Sequence, residues 1–159
     1  MFGVRPGSEA ARHRRGATTI VLALAASSLA IACPASASRS LIIRDEGRLG
    51  FIKSSASQLI DEGRVAGTVP GTARVRFTYN GNPAVAAQFT IYGRYGTISG
   101  RATGRLSNPT STTPSLRGSA SITAGSGRYA RASGSGELFG VFNRRSYGLT
   151  VQAVVTMRY

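Results

Sequence analysis

YGLTVQAVVTMRY (147–159) closes the chain and decides its fold. Tyr147, Leu149, Val151, Ala153, Val155, Met157 and Tyr159 take alternate positions, with Gly148, Thr150, Gln152, Val154, Thr156 and Arg158 between them. A period of two held this long marks a strand with one buried face. Working back from it, the same period recurs. Val75, Phe77 and Tyr79 oppose Arg74, Arg76 and Thr78, while Val85, Ala87, Phe89 and Ile91 oppose Gln88, Thr90 and Tyr92. Ile98, Gly100, Ala102, Gly104 and Leu106 form one face of a further run, and Leu116, Gly118, Ala120 and Ile122 that of the next. Turn residues separate these runs: Pro70-Gly71, Asn80-Gly81-Asn82-Pro83, Gly93 to Gly96, a polar loop from Ser107 to Pro114, and Asn143-Arg144-Arg145. The pattern predicts an all-β protein, a small closed antiparallel barrel of about eight strands, with a β-sandwich as the alternative.

Upstream of the strands the chain reads as an export signal. Arg5, Arg12, Arg14 and Arg15 precede an apolar stretch from Ala17 to Ala32, followed by Ala35-Ser36-Ala37. This is the layout of a secretory signal peptide cleaved after Ala37, so 1–37 is assigned to the signal and 38–159 to one secreted, extracellular barrel domain. Lipoprotein anchoring at Cys33 is disfavoured because Ala30, not Leu, stands three residues before it. Cleavage would remove the chain's single Cys and single His, Cys33 and His13. A mature chain without either cannot build a Ser-His-Asp triad, a thiol nucleophile or a usual zinc site, and no cofactor or metal is expected.

The segment 38–159 carries 16 basic residues against five acids, Asp45, Glu46, Asp61, Glu62 and Glu137, a net +11. That field favours anionic partners, and Arg74, Arg76, Arg101, Arg105 and Arg117 are the candidate anion-binding residues on the outer face. Nucleic acid is a poor fit, because stacking needs aromatics on the basic face and the alternation sets Phe77 and Phe89 opposite the arginines. Four of the acids lie in an echo, Ile43-Arg44-Asp45-Glu46-Gly47-Arg48-Leu49 and Ile60-Asp61-Glu62-Gly63-Arg64-Val65. Both copies read as strand–turn–strand corners with solvated carboxylates. Glu137 is the one acid in the strand-rich half and a weak candidate for a general base; no other catalytic residue is assigned.

Residues 122–140, ITAGSGRYARASGSGELFG, resemble the Gly-Gly-Thr-Gly-Lys/Arg-Tyr/Phe-Ala-Gly-Ala-x-Gly signature of the allene oxide cyclase and dirigent β-barrels. The likeness is closer still to uncharacterised secreted actinobacterial proteins in which an Asn/Asp-Arg-Arg-x-Tyr corner follows, here Asn143 to Tyr147. Ala124, Ser126 and Arg131 depart from the signature. The resemblance implies an eight-stranded barrel with a hydrophobic cavity and, as in the plant proteins, a homotrimer. The plant enzymes' catalytic residues have no counterparts in this sequence. The Gly-Ser-Gly stretch is read as a tight turn, since neither a helix nor Lys-Ser/Thr follows it as a P-loop requires.

Two partner classes follow: a hydrophobic small molecule inside the barrel, with Tyr79, Phe89, Tyr92, Phe139 and Tyr147 as candidate lining, or an anionic wall polymer or lipid surface on the arginine face. The enzymatic alternative is a cyclase- or isomerase-like activity in the same cavity. An outer-membrane barrel is a further alternative, disfavoured because strands at 98–106 and 116–122 would offer Gly and Ala to lipid and the chain has no Trp for interfacial girdles.

Overall fold

A computed structural model of the protein describes residues 38–79 and 83–159, apart from the side chain of Tyr79. Residues 1–37, read above as an export signal, and the turn residues Asn80, Gly81 and Asn82 lie outside the described residues. Eight strands run in sequence: β1 (Ser40–Ser55), β2 (Gln58–Gly67), β3 (Gly71–Tyr79), β4 (Ala84–Gly93), β5 (Gly96–Ser107), β6 (Ser115–Gly125), β7 (Ser133–Asn143) and β8 (Gly148–Arg158). Each pairs antiparallel with the next, and β8 returns to β1 to close the barrel. Closure leaves no free sheet edge, and the sandwich alternative falls away.

Alternation sets the inside. Leu149, Val155 and Met157 of β8 are buried, with Val151 and Ala153 partly so; Ile98 of β5 and Leu116, Ala120 and Ile122 of β6 face the same interior. Glycines allow neighbouring backbones to close in. A Cβ at Gly136 would collide with the Val154 carbonyl oxygen, and one at Gly118 with that of Thr103.

The lower end, which holds both ends of the described chain, is plugged. Ile98 and Met157 are fully enclosed there with Val69, Ala132 and Tyr129, each large apolar side chain contributing about 1.5–3 kcal/mol by burial. The Tyr129 ring meets Tyr159 edge-on at 5.5 Å. The glycine-rich motif forms this plug as a 3-10 turn, Gly127–Tyr129, with Gly127 at φ 58°. It is bolted to β5 and the turn before it. Ser126 N donates to the Thr97 carbonyl (2.9 Å), Arg128 N to that of Tyr95 (2.8 Å), and Ser126 Oγ accepts from Thr97 N (3.0 Å). These N–H groups are therefore spent on protein carbonyls, and the motif works as a structural turn.

Two readings are corrected. The Asp-Glu-Gly echoes are not corners: β1 and β2 run straight through them, and the turn falls at Ala56-Ser57, with Ala56 at φ 50°. The last strand begins at Gly148, not Tyr147. Asn143 Oδ1 accepts from Arg145 N (2.9 Å) and Ser146 N (3.2 Å), a side-chain-closed turn that leaves Tyr147 at φ 53° and half exposed. Tyr147 instead packs at a tilt against Phe51 and edge-on against Phe142 at the upper end, with centroids 5.5 and 6.4 Å away.

Candidate functional site

Between the lower plug and the upper aromatics the inward side chains do not fill the barrel. They enclose a cavity of about 120 Å³, walled by residues from β1 to β8 that include Ile43, Val75, Phe77, Phe89, Ile122 and Val151. Its origin is legible residue by residue. Ala73, Ala87, Ala102, Ala120 and Ala153 and the glycines 47 and 104 stand where larger side chains would meet at the axis. Eight strands give an interior just wide enough to be filled by side chains or to hold one small ligand; small residues at these positions leave the space open.

Of the aromatics named from sequence, Phe89 lines this cavity, and Phe77 joins it. Tyr92, Phe139 and Tyr147 lie outside it. Tyr92 is exposed on the outer face of β4, and Phe139 faces out from β7 with the Arg117 guanidinium 5.0 Å above its ring. Both fall on the polar side of the alternation. The side chain of Tyr79 lies outside the described part. Glu137 is also on the outer face, opposite Ser119 and Val154, so it has no access to the cavity, and it forms no ion pair among the described residues.

The acids that do point inward are the two that the corner reading had left in water. Asp45 and Asp61 are 8% and 1% exposed. Both share the inward parity of their strands, and their neighbours Glu46 and Glu62 turn outward to Arg48 (3.1 Å) and Arg74 (3.8 Å). Asp45 lines the cavity near its lower end. Its Oδ1 accepts from Val69 N at 3.0 Å, while Oδ2 has no partner. Burial raises its pKa, and backbone hydrogen bonds from Val69 and Thr68 pull it back part of the way. Asp61 lies towards the upper end, opposite Phe51 and Val75. Its Oδ2 is likewise unpartnered, and burial alone pushes its pKa up to about 6. Asp45 and Phe51 are six positions apart on β1, so the two carboxyls are separated by about 20 Å along the strand direction. That is too far for a glycosidase pair, which needs about 5–10 Å.

The five candidate anion-binding arginines all stand on the outer face. Arg74 is ion-paired to Glu62, whereas Arg105 and Arg117 face each other directly across β5 and β6 with no acid on either among the described residues. Arg76 and Arg101 are separated by Gln88 of β4. No group of three or more metal-ligating side chains occurs among the described residues.

Comparison with protein families, curated proteins and solved structures returns no match.

Proposed function

We propose that the protein is an exported carrier that holds a small apolar molecule inside its barrel. The apolar cavity within the barrel carries this reading. A well-packed interior leaves few voids larger than a water molecule, whereas this one encloses about 120 Å³. Cavities of about 150 Å³ lined by Leu, Ile and Phe stay dry and take up benzene or xenon. The size therefore favours a ligand of about one six-membered ring over a long lipid. Export is supported by the N-terminal segment, and an aqueous setting by Arg76, Arg101 and Arg117 at mid-strand positions on the outside, where a lipid-facing charge costs about 2–4 kcal/mol. Isothermal titration with benzene and its alkyl homologues tests the reading. Saturable binding of benzene that weakens as the alkyl chain outgrows the cavity is expected; absence of binding across the series overturns it.

A second reading, docking of an anionic polymer on the outer face, is favoured by one observation. Directly opposed like charges such as Arg105 and Arg117 destabilise a sheet, and a polyanion lying across them would relieve the repulsion. Salt-sensitive binding of polyphosphate, weakened in an Arg105→Ser/Arg117→Ser variant, is the expected result, and equal binding by that variant removes the reading.

A further inference from the structure

Asp45 is the one charged side chain in the cavity wall among the described residues. Its surroundings hold it in place. The β2–β3 turn is closed onto β1 by Thr68 Oγ1, which accepts from Arg44 N at 3.0 Å, and by Thr68 N, which donates to the Arg44 carbonyl at 3.3 Å. Val69 N then fixes Oδ1. Gly67 packs so closely that a Cβ there would stand 2.5 Å from that oxygen. The carboxyl is pinned by one oxygen, and the other is left buried and without a partner. A buried acceptor without a donor costs free energy that a bound donor would return.

We propose that the cavity selects a compact apolar molecule bearing one hydrogen-bond donor, a hydroxyl or an amine, which Asp45 accepts through Oδ2. The inference rests on the apolar-ligand reading above and adds the chemical class of the ligand. Apolar walls supply the affinity, and the one polar atom supplies orientation and choice, the usual division of labour in small-molecule pockets. Oδ2 is enclosed in the empty barrel, so a donor entering at the lower end of the cavity would reach it through a small shift of the wall, with the apolar body directed towards Phe77 and Phe89.

Toluene, phenol and aniline test this directly, because they differ only in a methyl, hydroxyl or amino group on the same ring. A wholly apolar cavity would take toluene over phenol, since the hydroxyl would lose its water without replacement. The wild-type protein is expected to bind phenol or aniline at least about tenfold more tightly than toluene, and the tighter of the two identifies the donor. Asp45→Asn can keep the bond from Val69 while presenting N–H in place of the free acceptor, and Asp45→Leu removes the acceptor altogether. In Asp45→Leu the preference should reverse for both polar rings, with toluene binding retained; in Asp45→Asn it should reverse for aniline, while phenol can still accept the amide N–H through its own oxygen. Toluene binding as tightly as both polar rings, or a preference unchanged in Asp45→Leu, overturns the proposal alone. Failure of all three compounds to bind overturns it together with the carrier reading.

Discussion

The tripeptide Asp-Glu-Gly occurs twice on neighbouring strands, at 45–47 in β1 and 61–63 in β2. In both copies Asp faces in, Glu faces out to an arginine, and Gly returns to the inside. The copies then part. Gly47 looks into the cavity, where a Cβ would first meet the Val151 side chain at 3.2 Å, whereas a Cβ at Gly63 would collide with the Arg48 backbone. Asp45 has a backbone donor and a cavity beside it, while Asp61 has only the desolvation of its burial. The same three residues therefore serve an open site on one strand and a tight seam on the next. The register, not the local sequence, decides which.

The largest effect that would break this comparison is at the glycines. Gly63→Ala should destabilise the barrel by about 3 kcal/mol, because backbone has to move, and Gly47→Ala by about 1 kcal/mol or less, because a side chain can yield. Urea denaturation of the two variants checks it, and equal midpoints would show the copies to be equivalent.

Next come the carboxyls. Asp61 has a folded pKa of about 6 against an ordinary 3.8, so the protonated form is the one the barrel accommodates. Its contribution to stability is fully present below pH 3.8 and is lost as pH rises through about 6. The shift corresponds to about 3 kcal/mol. Asp61→Asn, whose own buried amide lacks a partner, should recover about 2 kcal/mol of this at pH 7 and nothing at pH 3. Asp45→Asn should gain less, since hydrogen bonds already offset the burial of that carboxyl. Denaturant midpoints measured from pH 3 to 8 would show a flattened profile for Asp61→Asn, and a profile parallel to the wild type would contradict the assignment.

The smallest effect lies outside the barrel. Glu46 and Glu62 both make exposed ion pairs with arginine, and such pairs contribute about 0–1 kcal/mol. Glu46→Gln and Glu62→Gln should each shift stability by less than about 0.5 kcal/mol, and the shift should vanish in high salt. Here the two copies should be alike.

The barrel itself was legible in the sequence because most of its strands alternate cleanly and are bounded by Gly, Pro or Asn. The lead-in was harder. Ile43, Asp45, Gly47 and Leu49 obey the same period of two, but an Asp-Glu-Gly run carries the composition of a turn, while the real turn at Ala56-Ser57 contains neither Gly nor Pro. Treating Asp45 as in phase with Ile43 and Leu49 would have placed it inside. Tyr147 continues the alternation of the last strand, yet the Asn143 side chain closes the corner and turns it out. Phe89 could be assigned to the interior from its strand alone. The cavity could not, because its volume depends on how eight strands close and on which small side chains meet at the axis.

The most direct test of the carrier account is a crystal structure of the protein under xenon pressure. The account predicts xenon inside the barrel, in contact with Ile43, Val75, Phe89 and Val151. An interior that takes no xenon, with side chains meeting across the axis, would contradict it.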